Sequence, residues 1–237
     1  MKYLSKVIAL LFIASFLSSI PFAFAENKSD IVKVTFELKV DDLNAKPSGG
    51  PGGGKSPAGG YSIFAHWAVF PVAIVINQNT IPAGLTSGSV QMALAAGGEE
   101  WDINTATELF SYASLTSETL TFETTSPDYV NEIIFADIST SGVIAQTQIW
   151  YNRFTKEILD FDMVFNTRFS WGDASSNLAI MDVQNIATHE LGHGFGLSDL
   201  YQAKWSAQTM YGYSREGDIA KRDLAFGDIA GIKALYG

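Results

Sequence analysis

His189 and His193 stand four residues apart in the run His189-Glu190-Leu191-Gly192-His193, and this spacing constrains the chain more than any other feature. Residues at i and i+4 lie one turn apart on the same side of an α-helix. A helix here therefore sets two imidazoles side by side, at the separation from which both reach one zinc ion. Glu190 sits about 100° around the helix from His189, so it faces a water at the ion's open position without binding the metal. The helix is expected over residues 182–194, where Val183, Ile186, Ala187, Leu191 and Gly194 make an apolar stripe and Asp182 can cap the start.

A catalytic zinc site takes three protein ligands and keeps a fourth position for water. Beyond His193 the chain reads Gly194-Phe195-Gly196-Leu197-Ser198-Asp199. Gly196 can end the helix at positive φ and turn the chain back toward the metal, and Asp199 then arrives as a carboxylate ligand. The competing third ligand is Glu216, in the manner of gluzincins, which complete the site from a second helix. It lies in the polar run Tyr213-Ser214-Arg215-Glu216-Gly217-Asp218, which reads as a loop. The chain has no cysteine, which excludes thiolate ligands and nucleophiles, the cysteine-liganded deformylase arrangement, and disulfides.

With these residues in place the sequence resembles the metzincin zinc proteases and, within them, the matrixins. The family pattern H-E-x-x-H-x-x-G-x-x-H is matched by His189, Glu190, His193 and Gly196, with Asp199 where matrixins carry a third histidine; the bacterial metzincin snapalysin has aspartate there. Thr209-Met210-Tyr211-Gly212-Tyr213 is similar to the metzincin Met-turn, which implies that Met210 underlies the metal. Residues 162–166 with Trp171, and the ending from Leu224 to Gly237, resemble the matrixin strand and loop before the active-site helix and the last matrixin helix. The likeness covers most of residues 61–237. It implies an α+β fold, a twisted mixed sheet packed against helices, and a secreted zinc endopeptidase with metal ligands His189, His193 and Asp199 and general base Glu190. Its substrates are proteins or peptides. A non-catalytic secreted zinc-binding or adhesion module is the alternative, and a closed four-ligand shell would mark it.

The remaining pattern fits that architecture. Strands are expected at residues 31–40, 72–77, 132–135, 143–151 and 159–166, and helices at 87–101 and 227–236. Residues 46–60 are dominated by Gly, Pro and Ser and read as a flexible linker, which leaves 26–60 as a short N-terminal segment before a catalytic domain over 61–237. The strand at 143–151 is expected to line the cleft and pair with substrate backbone. It has Gln146 where matrixins place a histidine for a second, structural zinc, which is therefore expected to be absent. His66 and the aromatics Tyr201 and Trp205 receive no assigned role; the last two can line a pocket or simply pack. Asp228 is expected to cap the last helix, although the family resemblance also offers it as an anchor for a new N-terminus. Matrixins are commonly silenced by a pro-segment cysteine on zinc. Without one, inhibition by residues 26–60 needs an acid such as Asp41 or Asp42 at the open metal position, and a passive arm explains the same composition.

The first 25 residues combine Lys2 and Lys6, an apolar run, and Ala23-Phe24-Ala25, the pattern of a secretory signal peptide. Its removal takes two of the 15 basic residues and none of the 25 acidic ones. The acidic remainder argues against nucleic acid or an anionic membrane as a partner, and a few of its carboxylates are candidates for calcium.

Overall fold

The computed structural model describes residues 30–41, 59–111, 113–118, 122 and 125–237; the signal segment and most of the Gly-rich linker lie outside the described residues. Nine strands and three helices follow the order β1 (Ile31–Val40), β2 (Val75–Asn77), α1 (Ser87–Asp102), β3 (Ser114–Thr116), β4 (Glu132–Ala136), β5 (Val143–Asn152), β6 (Ile158–Asn166), β7 (Trp171–Gly172), β8 (Met181–Asp182), α2 (Val183–Gly194), β9 (Tyr213–Ser214) and α3 (Phe226–Tyr236). The fold is α+β. Seven strands form one mixed sheet in the order β3-β2-β4-β6-β5-β1-β9, and β7 pairs with β8 in a separate two-stranded ribbon. Strands β3, β2, β4 and β6 run parallel, whereas β5 is antiparallel to β6 and β1 is antiparallel to β5.

Alternation explains the central strands. Ile133 and Phe135 of β4 and Phe161, Met163 and Phe165 of β6 point into the main core, while Ile134 and Val164, one residue out of step, pack with Val143 and Ile138 in a second cluster on the other face. A sheet covered on both sides requires near-continuous apolar strands, as these are. Strand β1 half-follows the rule: Phe36 and Leu38 are buried and Lys33 is exposed, so that burying these two side chains contributes about 1.5–3 kcal/mol each.

Helices α1 and α2 pack against each other. The approach is close at Gly97, where a Cβ would come within 2.9 Å of Thr188 Oγ1. The α1 start is capped by Thr86, which accepts a hydrogen bond from the Ser89 amide at 3.0 Å, and the α2 start by Asp182, which accepts from the Asn185 amide at 2.8 Å. Helix α2 is then pinned by two indoles: Trp101 donates to the Thr188 carbonyl at 2.9 Å and Trp67 to the Gly194 carbonyl at 2.7 Å. These bonds fix the helix that carries the two histidines.

Candidate metal centre

Gly196 has φ of 107°, and a Cβ there would meet the Ala65 carbonyl oxygen at 2.2 Å. The expected glycine turn is therefore present and sterically restricted to glycine. Behind it the chain doubles back along residues 59–66, with the Phe64 amide donating to the Gly196 carbonyl and the Ser198 amide to the Ser62 carbonyl. Asp199 is thereby delivered beside the helix.

His189 Nε2, His193 Nε2 and Asp199 Oδ1 form a triangle with sides of 3.2, 3.3 and 3.4 Å. A tetrahedral zinc with bonds of roughly 2.0–2.1 Å holds its ligand atoms about 3.3 Å apart, so the group fits a metzincin-like zinc site. The hydrogen bonds behind it agree. Nδ1 of His189 lies 2.7 Å from the Thr209 carbonyl oxygen and Nδ1 of His193 lies 2.8 Å from that of Leu197. A carbonyl only accepts, which assigns the proton to Nδ1 in both rings and leaves both Nε2 lone pairs facing the shared point. Asp199 Oδ1 is buried and receives no aligned hydrogen bond. Its other oxygen, Oδ2, accepts from the Tyr201 hydroxyl at 2.7 Å. Burial works against the Asp199 charge, but the two imidazoles outweigh it and hold the carboxyl well below the usual range. Burial drives His189 down to about 4; on His193 the same pull is overcome by Asp199 and the value rises, so a proton and a metal compete for His193 Nε2.

Glu190 is fully buried. The Thr147 hydroxyl of β5 donates to its Oε2 at 2.5 Å, while Oε1 is without a partner. Burial pushes its pKa up to about 7, against the lowering pull of His193 and of the Thr147 bond.

Met210 is fully buried beneath α2, at a point where a Cβ on Gly192 would come within 2.3 Å of its Sδ. The turn that carries it is clamped from two sides. Asp228 accepts the Thr209 amide at 2.7 Å and the Met210 amide at 3.1 Å, as well as the Ala225 amide at the start of α3 at 3.0 Å; the capping expectation holds and the same carboxylate braces the turn. Lys221 donates its buried ammonium to the carbonyls of Tyr211 at 2.5 Å and Thr209 at 2.8 Å.

The structure brings together His189, Glu190, His193, Asp199 and Met210. Glu216 is exposed and outside the group. Asp41 follows β1 with its amide on the Ser214 carbonyl and is also outside the group; Asp42 lies outside the described residues. Trp205 packs on Phe226 and on the backbone of Gly60. Thr147, Lys221 and the Tyr201 hydroxyl bond were missed in the sequence. Thr147 carries no local signal, since only the sheet register brings β5 over α2; Tyr201 offered one, a hydroxyl two residues after a proposed ligand.

The family model for Matrixin, a peptidase family, matches residues 99–237, more than half of the chain and all of this site. No curated protein matches the chain.

Proposed function

Because the chain belongs to the matrixin family of zinc peptidases, we propose that it is an exported zinc endopeptidase in which His189, His193 and Asp199 hold the metal and Glu190 is the general base. The observation that carries the reading is the triangle of ligand atoms at tetrahedral spacing, with Glu190 Oε1 buried and unpartnered next to it. Zinc bound there supplies Lewis-acid polarisation of the scissile carbonyl and a lowered pKa for the attacking water. The protein's own residues do the proton work. Glu190 accepts the water proton on its free Oε1 and returns it to the leaving amine nitrogen. The Thr147 hydroxyl occupies Oε2 and fixes the carboxylate plane. Tyr201 holds Asp199 in orientation, and the Nδ1–H bonds of both histidines hold their rings.

Export rests on the signal-like first 25 residues; no helix among the described residues is long and apolar enough to cross a membrane. Calcium is the second cofactor of this reading. Asp160 and Asp162 of β6 are buried, each with an Oδ1 that lacks a partner, and Glu132 stands opposite Asp162 across the β4–β6 pair. Buried carboxylate oxygens of this kind suit a hard cation. The non-catalytic alternative needs a fourth protein ligand, and the group offers three with a base beside them.

The test is zinc titration and casein cleavage with two variants. Asp199→Ala should lose zinc affinity and activity together, while Glu216→Ala changes neither. The reverse pattern would overturn the ligand set.

A further inference from the structure

A peptidase site must admit a polypeptide, yet His189, Glu190 and His193 are completely buried and the Asp199 side chain is 1% exposed. The element over them is β1. Its register on β5 runs from Ile31↔Asn152 to Lys39↔Val143, antiparallel, and on its other side Lys39 and Val40 pair parallel with Tyr213 and Ser214 of β9. The strand thus lies between β5 and the segment that follows the Met-turn. Its middle crosses the metal centre. The Phe36 ring stacks on His193 with centroids 4.2 Å apart and planes 7° from parallel. Phe36 is also the register partner of Thr147, the residue bonded to Glu190. Leu38 is fully buried. The Lys39 amide donates to the Gly212 carbonyl at 3.2 Å, at a glycine so close to the metal centre that a Cβ on it would lie 3.0 Å from Asp199 Oδ1.

The side chains alternate as a bound peptide's would. Phe36 and Leu38 face inward, while Glu37 and Lys39 face out, paired with each other at 3.1 Å, and Gln146 donates to Glu37 at 3.0 Å. Main-chain pairing gives affinity in this mode of recognition, and alternate side-chain pockets give selectivity. Resting on the peptidase reading, we propose that β1 is a resident pseudo-substrate: residues 36–39 of this chain occupy the peptide slot across the metal centre and keep the enzyme latent until the strand leaves. The slot selects an aromatic-x-aliphatic pair in an extended segment, as Phe36 and Leu38 present it. No carboxylate on the metal is needed, so latency does not require the Asp41 or Asp42 device that the sequence offered beside a passive arm. Covalent continuity through residues 42–58 makes the occupancy intramolecular, at an effective concentration on the order of millimolar, so cutting that segment and diluting the protein favours release.

The chain contains no cysteine, so Glu37→Cys with Gln146→Cys creates a single disulfide that locks β1 in place. Cross-strand partners lie about 4.5–5.5 Å apart at Cα, within the range a disulfide spans. The full-length, zinc-loaded double variant, with a specific protease site placed between residues 47 and 57, is cut, diluted to nanomolar concentration and assayed on casein before and after a phosphine reductant. Cleavage should rise at least tenfold on reduction of the cut protein. Binding of a fluorescein-labelled peptide of residues 30–41, read by anisotropy, should appear in the reduced cut protein and be absent in the oxidised one. Equal cleavage in the oxidised and reduced forms would overturn the proposal while leaving the peptidase reading intact. Peptide binding that follows the disulfide, with no cleavage in either form, would leave the slot and its occupant standing and remove the peptidase reading. Labelled peptide that binds neither form would overturn the proposal.

Discussion

Tyr201→Phe isolates the support behind the carboxylate ligand. The phenol donates to Asp199 Oδ2 at 2.7 Å, and the acceptor side chain is 1% exposed, so water does not replace the lost bond. Phenylalanine keeps the ring, its edge contact with Tyr213 at 5.7 Å and its packing on Gly212, so the perturbation is one hydroxyl. A hydrogen bond to a charged group is worth about 1.5–3 kcal/mol, and every 1.4 kcal/mol or so is a factor of ten. Zinc affinity should therefore fall by roughly 10- to 100-fold, which is also the usual cost of losing a bond behind a metal ligand. The assay is equilibrium competition against a chromophoric chelator at fixed pH. A Kd within twofold of wild type would refute the reasoning, because it would mean that Asp199 is either held without Tyr201 or not a ligand.

In the chain cut between residues 42 and 58, Glu190→Gln should leave zinc stoichiometry unchanged and lower casein hydrolysis by about 10²- to 10⁴-fold, the usual contribution of a positioned base; near-wild-type turnover would remove the assignment. Gly192→Ala drives a Cβ to 2.3 Å from Met210 Sδ and 2.7 Å from Trp101, and overpacking of this kind costs about 1–3 kcal/mol, to be read as a lower urea midpoint. Burial raises the pKa of Asp160 to about 7 and that of Asp162 to about 8. An acid whose folded value is raised keeps its proton in the folded state, so its stability contribution is present below the ordinary value of 3.8 and is lost as pH rises toward 7–8. In chelator, stability should fall across that window, and calcium should abolish the fall; a flat profile in chelator, or no effect of calcium, would contradict the calcium reading.

The parts legible in the sequence were those in which local chemistry and position coincide. The i, i+4 histidines, the glycine that a turn at positive φ requires and the aspartate cap of α2 each declare themselves within a few residues, and β4, β5 and β6 announce themselves by short apolar stretches such as residues 133–135, 143–145 and 163–165. Strands β3, β7, β8 and β9 have two or three residues each; no periodicity can show in so few, and they form because neighbouring backbone is held in place. The strand at residues 31–40 was readable as a strand, but its alternation does not say which edge it joins. Its place on β5, and hence the stacking of Phe36 on His193, depends on pairing between residues more than a hundred positions apart. Thr147 and Lys221 reach the site in the same way, through register and through a buried chain crossing.

Metal dependence of peptide hydrolysis, measured on the chain cut between residues 42 and 58, decides whether His189, His193, Asp199 and Glu190 form a working zinc centre. Casein cleavage should stop on chelation, return with one equivalent of zinc per chain, and fail to return in Glu190→Gln carrying the same equivalent. Cleavage that survives complete removal of the metal, or that Glu190→Gln sustains at the wild-type rate, would contradict the assignment of His189, His193, Asp199 and Glu190 to a zinc peptidase centre.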